Sequence, residues 1–539
     1  MTNYIYFHNG RIFTSNSAQP YAEAMAVRNG RIEWIGDDEK SKTFEGKRVD
    51  LQGRRILPGF IDAHMHPLFL ANTAKQIACM VPLVHSIEEM IEEVRKQREK
   101  QQVGEWIEGW GYDEGKLAEG RSPSRADLDQ AVTDSPIIIT RTCTHIIAVN
   151  SKALEIAGIT KDTPNPSGGH IDRDDNGEPT GVLRENAKDL VLNKMPAYTI
   201  EENAEHLDEL APSLFAHGIT AITDLMARPA PIDYVEMYNA ARKKGLAQRT
   251  VLYYMWEDVE KTPMLNKENT DRTKSIHIGG IKLFADGSVS GRTAWVDPPF
   301  LGDDKNDGIS TTSSEELKAA AEMAKEHGVQ IVVHAMGEQA IDQVIDTFAD
   351  MDNWIEGAPS IRIEHAAMPT KHALDIAAKK GIAFVPQPTF LFAEIESYYN
   401  NLGAERTTMT YPVKTMLKAG IHVAFSSDAP ATAWVDPVNP FVGLQSAVTR
   451  IAYNGADTGQ NERVSIETAI ELYTRAAQEV TRIPDVGQLK LGFHADFIIL
   501  DQDILEIPSD EINQVKVEET YFGGKRVYQK LENDSVAKP

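Results

Sequence analysis

The chain has 539 residues, with 55 Lys plus Arg against 80 Asp plus Glu, for a formal charge of −25. That length exceeds one minimal core and predicts one large barrel or open-sheet domain with smaller additions. The charge argues against a nucleic-acid or anionic-membrane partner and reads as solubility, and two cysteines, Cys79 and Cys143, are too few for a disulfide framework or a thiolate zinc site.

In chain order, the opening MTNYIYFHNG lacks a basic region followed by an apolar stretch, so no secretory signal is expected. No run approaches the roughly 18 consecutive apolar residues of a membrane helix. A cytoplasmic protein with no membrane partner is the expectation. YIYFHNGRIF and EAMAVRNGRIEWIG each place an Asn-Gly pair between β-rich runs, at Asn9-Gly10 and Asn29-Gly30, which predicts hairpin turns. The far end repeats this texture in HADFIILD and VEETYFGGKRVY, with Gly523-Gly524 at the turn. Residues 1–57 and 485–539 are therefore expected to form one small composite β-sandwich domain built from both termini.

Between them, over 58–484, apolar strand-like runs alternate with amphipathic helical ones, the pattern of a parallel α/β fold. The eight strand candidates are ILPGFIDAH, GITAITDL, RTVLYYM, GGIKLFADG, VQIVVHAMG, SIRIEHAAM, GIAFVPQPT and IHVAFSSDAP. Eight closes a TIM-like (β/α)8 barrel. TTSSEELKAAAEMAKEHG has Ser313 three before Glu316 and a closing Gly328, a capping box that marks a helix between strands four and five. Residues from about 68 to 210 separate the first two strands, too many for a βα connection. An inserted subdomain on the active-site side of the barrel is expected there, where loops shape specificity.

The polar residues fall at informative places on those strands. His64 and His66 close strand one, Lys282 lies in strand four, His334 and His365 lie near the ends of strands five and six, and Asp428 is placed at the end of strand eight. In a barrel all carboxyl ends face one mouth, so four imidazoles and a carboxylate converge. Residues i and i+2 of a strand share a face, so His64 and His66 can reach one metal ion; taken alone, the pair also reads as a solvated loop. Lys282 alone reads as a lysine reaching the rim or paired with a carboxylate such as Asp286. As a carbamate formed with carbon dioxide it would be an anionic oxygen ligand able to bridge two metals. All six residues together read as a binuclear metal centre.

These motifs, with NSKAL, SGGHI, GEPTGVL, HAMGEQAI, RIEHA, SSDAP and GGKRVY, resemble the amidohydrolase superfamily over nearly the whole chain, and within it the branch of N-substituted formamide deformylase-like enzymes. The resemblance implies one metal held by His64, His66 and Asp428, a second by His334 and His365, and a bridge of carbamylated Lys282 and hydroxide. Single-metal variants exist in the superfamily, so one or two divalent ions are expected. Zinc is the first expectation, and iron, manganese, nickel and cobalt also suit imidazole and carboxylate ligands. It further implies a homodimer and a small-molecule substrate.

The chemistry expected is hydrolysis of an amide-like or formamide-like C–N bond, with Asp428 as base and then acid. Cleavage of a cyclic amide, carbamate or ester at the same site, and a non-catalytic metal- or ligand-binding barrel, stand as alternatives. His145, His170, Arg292 and Thr293 are candidate substrate contacts, each also readable as an ordinary loop residue. Trp106, Trp110 and Tyr112 would wall an aromatic substrate or simply pack a core.

Overall fold

Eight strands form a wholly parallel sheet in sequence order: β1 (Phe60–Met65), β2 (Ile219–Ala227), β3 (Arg249–Met255), β4 (Ile276–Phe284), β5 (Gln330–Ala335), β6 (Ile361–His365), β7 (Ala383–Val385) and β8 (His422–Val423). The computed structural model describes residues 4–43, 45–81, 83–142, 144, 146–166 and 169–531. The sheet curls: Ile61, Ala221, Val251, Val332 and Ala383, from strands far apart in the ladder, share one buried apolar cluster with Ala424, just beyond β8. Backbone bonds from Asp428 N to His64 O and from His66 N to Ala429 O tie the segment after β8 to the end of β1. The result is a mixed α/β fold with a curled, parallel eight-stranded sheet of TIM-like kind.

Several candidate strands are shorter than their apolar runs. ILPGFIDAH divides between Arg55–Pro58, which belongs to a terminal sheet, and β1. A Cβ at Gly59 would lie 2.4 Å from Thr220 Oγ1, so only glycine lets the chain pass between the two sheets there. β7 stops before Pro386, which cannot donate to a ladder. β8 holds only two residues, so Asp428 lies in the loop beyond it rather than at the strand end. The helix Ser314–Glu326 carries the expected capping box, with Ser313 and Glu316 satisfying each other's backbone N–H groups.

The terminal segments form two sheets. One orders Arg31–Gly36, Ala24–Arg28, Ile5–His8 and Lys47–Asp50; the other orders Lys525–Gln529, Val517–Phe522, Phe497–Leu500, Arg55–Pro58, Arg11–Phe13 and Tyr21–Ala22. Residues of both sheets share a core that includes Phe7, Ile12, Ile56, Phe497 and Tyr521. Asn29-Gly30 makes a hairpin turn with φ of 51° and 80°, and Gly523-Gly524 another with 54° and 72°. Asn9-Gly10 corrects its expectation: the flanking strands lie in different sheets, so the turn is a corner. A Cβ at Gly10 would lie 2.7 Å from Leu51 Cδ1, and the need there is room for the core.

The chain divides into two compact units. The first comprises the described residues of 1–67, 204–429 and 438–536, with the parallel sheet and the terminal sheets together; the second holds those of 68–203 with 430–437. The second unit has its own six-stranded sheet, which includes Ile107–Tyr112 and the antiparallel pair Ile137–Arg141 and Ile146–Val149. Its helix Ile87–Arg98 buries Ile87, Met90, Ile91 and Val94. Among the described residues no helix is long and apolar enough to cross a membrane.

Candidate metal centre

The bonds that tie residues 428–429 to β1 bring three donor residues together. Asp428 Oδ1 lies 3.2 Å from His64 Nε2 and 2.9 Å from His66 Nε2, and the donor atoms of all three residues lie within 4.8 Å of one another. Oδ1 is buried yet outside hydrogen-bond geometry with either ring. Two imidazoles and a carboxylate that face a common point are a donor set for a divalent cation. The residues fit a metal ion.

Two further rings stand beside this trio. His365 lies 5.0 Å from His64 and 4.3 Å from His334 between ring centroids. His334 Nε2 donates to Gly287 O at 2.8 Å, which leaves the Nδ1 lone pair free to ligate. His365 Nδ1 faces Gln387 Oε1 at 2.7 Å, while the Gln387 amide donates to Val385 O and Ser426 Oγ. That orientation puts the proton of His365 on Nδ1 and its lone pair on Nε2. Burial first, then Lys282, pushes His334 down to about 3. Burial and His334 hold His365 well below the usual imidazole range. Both rings are thus kept neutral, the form that binds metal.

Lys282 is buried, and its Nζ has no hydrogen-bond partner. Nor does it take up Asp286, whose carboxylate instead accepts N–H groups of Trp295, Met336 and Gly337 at 2.9, 3.0 and 2.8 Å. Burial brings the Lys282 amine down to about 8, opposed by Glu364 and Asp428. Its ammonium lies 4.7 Å from the centroid of the Phe284 ring but meets no hydrogen-bond acceptor; a buried lysine so placed is costly, and anionic modification or a charged partner would remove that cost.

Beneath the ligands runs a buried polar chain. His64 Nδ1 faces Glu364 Oε2 at 2.6 Å; Arg362 donates to Glu364 Oε1 and Oε2 at 3.0 and 3.1 Å, to Tyr253 Oη at 2.8 Å and to Ala63 O at 2.7 Å. Tyr253 Oη donates in turn to Gln330 Oε1 at 2.9 Å. Burial works to raise Glu364, but Arg362 and His64 outweigh it and hold the carboxyl at about 2. Burial likewise opposes the Asp428 charge, and His64 and His66 overcome it, keeping the carboxyl well below its ordinary range. Asp62 braces the same corner, accepting the N–H of His64 at 3.3 Å and of Ser427 at 3.1 Å.

The backbone is strained where these groups meet. His365, Ala366 and Asp428 have φ of 67°, 45° and 57°, a region that costs non-glycine residues about 1–3 kcal/mol each and that clusters at functional sites.

Arg292 and Thr293 lie in the loop after β4. Thr293 Oγ1 accepts from Ser288 N at 3.0 Å, and Arg292 donates to Leu301 O at 3.3 Å; both shape the loop that carries Gly287. His170 and Tyr112 belong to the second unit. His170 is exposed, with Nδ1 3.2 Å from Asn165 Nδ2, and Tyr112 is fully buried in a core with Cys79, Val84 and Leu128. His145 lies outside the described residues.

Sequence reasoning passed over Glu364, Arg362, Gln387 and Asp62. The signal was present in SIRIEHAAM: two charges of opposite sign inside an apolar strand cannot stay buried unless each has a partner.

An amidohydrolase family model matches residues 47–528. The YtcJ protein of Bacillus subtilis (strain 168), whose name places it among the amidohydrolases, is 30% identical over 540 residues, covering 97% of this chain and 99% of its own. N-substituted formamide deformylase of Arthrobacter pascens is 26% identical over 536 residues, covering 97% and 98%. Among solved structures, an uncharacterized metal-dependent hydrolase from Pyrococcus horikoshii OT3 superposes with a TM-score of 0.77 at 26% identity, covering 94% of this chain and 99% of that one.

Proposed function

The chain belongs to the amidohydrolase family, and from that premise we propose that it is a metal-dependent hydrolase of amide-type C–N bonds, with N-substituted formamides as the nearest substrate class. The observation that carries this reading is the convergence of His64, His66 and Asp428 donor atoms. His334 and His365 would complete the ligand set, and Lys282, as its carbamate, would add an anionic oxygen donor. With the amine near 8, a fraction is neutral at physiological pH; its nitrogen attacks the carbon of carbon dioxide, one N–C bond forms, and the amine proton leaves to solvent.

Bound there, one or two divalent ions, zinc first among them, would polarise the scissile carbonyl and lower the pKa of the attacking water. Asp428 takes one proton of that water on a carboxylate oxygen and passes it to the departing nitrogen, so the C–N bond breaks to give an amine and a carboxylic acid, which ionises to the carboxylate by releasing its proton to solvent. His64 is held in the ligating tautomer by Glu364, His334 by Gly287 O and His365 by Gln387.

The test is elemental analysis of purified protein beside Lys282→Ala, with hydrolysis assayed on a panel of N-substituted formamides, other amides and esters. About two ions per chain in the native protein, falling to one or none in the variant, with chelator-sensitive formamide hydrolysis, is the expected result. Metal-free native protein, or hydrolysis that survives complete metal removal, would sink the reading.

A further inference from the structure

The amino-terminal ends of β4 and β5 border a cavity of about 40 Å³ whose walls include Arg272, His277, His327, Gln330, Thr481 and Arg482, and no carboxylate lines it. In a chain with 80 acidic residues, two guanidiniums and two imidazoles without a lining acid form an unusual wall. The metal-site residues of these strands, Lys282 and His334, lie at the opposite, carboxyl-terminal ends.

The two arginines hydrogen-bond to backbone. Arg272 Nε and Nη2 donate to Arg482 O at 3.1 and 2.5 Å, and Arg482 Nη1 donates to Gly328 O at 3.3 Å. Neither forms an ion pair among the described residues; the nearby Asp485 is taken by Arg31 at 2.9 Å. Thr481 Oγ1 is committed to Ala477 O and the Gln330 amide to Pro359 O and Val480 O. The remaining N–H groups of the two forks are therefore the donors available to a ligand. Each fork has five N–H groups arranged to suit an oxyanion; Asp485 acts on Arg272 only through space, and no carboxylate among the lining residues contacts either fork. Burial first, and then Arg272, lowers Arg482 to about 10. His277 is only 3% exposed and adds an imidazole to the same wall.

We propose that this cavity is an oxyanion site, taking inorganic phosphate or the phosphate end of a small monoester between Arg272 and Arg482. A tetrahedral anion accepts from both forks at once and offsets their mutual repulsion, which no residue of the wall does. The net charge of −25 repels anions at long range, but screening over roughly 8 Å at physiological salt leaves the local pair to decide. A cavity of this size is on the scale of a small anion head.

The test is calorimetric titration of the full-length protein with inorganic phosphate and, separately, methyl phosphate, at constant ionic strength set by chloride. The comparison is with Arg272→Ala, Arg482→Ala and the milder Arg272→Gln, each checked for an unchanged melting profile. Lys282→Ala controls for phosphate held at the metal centre. Saturable binding that weakens tenfold or more in each arginine variant and persists in Lys282→Ala is the expected result, and equal binding of methyl phosphate would identify a monoester end as an acceptable source. Binding lost in Lys282→Ala but kept in the arginine variants, or no saturation at millimolar phosphate, would overturn the site.

Discussion

Glu364 Oε2 and His64 Nδ1 lie 2.6 Å apart although the residues are 300 positions apart in the chain. The pair is sealed from solvent, with side-chain exposures of 0% and 2%. Because the carboxylate engages Nδ1, Nε2 is the ring atom of His64 that faces Asp428. Arg362 holds the carboxylate from the other side. Glu364 thus positions a ligand without itself reaching the donor cluster.

Glu364→Gln keeps the volume and removes the charge. Partners that orient metal-binding histidines typically contribute 10- to 100-fold in metal affinity, and leaving Arg362 buried without its acid costs about 3 kcal/mol. Competition with a chelator indicator should show the affinity loss, and urea unfolding the lower stability. Unchanged metal affinity in the variant would remove Glu364 from the positioning role.

Asp428→Asn retains shape and one ligating oxygen but cannot carry a proton between water and amine. Loss of general acid–base catalysis predicts a fall in kcat of about 10²- to 10⁴-fold, with KM for a formamide substrate changed far less. A variant within threefold of the native kcat would assign proton transfer to another group.

Cys79 sits in the core of the second unit, where burial pushes its thiol up from about 9 to about 12. The unfolded chain would release this proton above about pH 9 and the folded chain only near 12, so Cys79 subtracts stability as pH rises through that window. In a Cys143→Ser background, native protein at pH 8 should give no reaction with a thiol-specific disulfide reagent and one equivalent after unfolding. Rapid reaction of the folded form would contradict the burial.

Phe497 stacks on Tyr521 with ring centroids 4.5 Å apart and meets Phe7 edge-on at 5.0 Å, joining the two chain ends in the terminal core. Phe497→Ala should cost about 3–5 kcal/mol, seen as a lower urea midpoint. A change under 1 kcal/mol would mean that the terminal sheets do not unfold with the transition measured.

How much of this was legible beforehand follows from which forces act locally. The alternation of strand-like and helical runs, the capping box at Ser313 and Glu316, and the turns at Asn29-Gly30 and Gly523-Gly524 depend on neighbours within a few residues. Side-chain periodicity, N–H satisfaction and glycine's tolerance of positive φ are written in the chain itself. The placement of His64, His334 and His365 at strand ends was readable in the same way, because apolar runs end where the sheet does.

What only the tertiary structure decided were relations between distant segments. The two-residue β8 and the position of Asp428 beyond it depend on backbone bonds to His64 and His66. The corner at Asn9-Gly10 depends on which sheet each flanking strand joins. The partners of Arg362 and Glu364, and the acid-free wall at Arg272 and Arg482, arise from segments brought together across the curled sheet. Local periodicity fixes which way a residue faces, whereas the cost of burying a charge is settled by whatever the rest of the fold places against it.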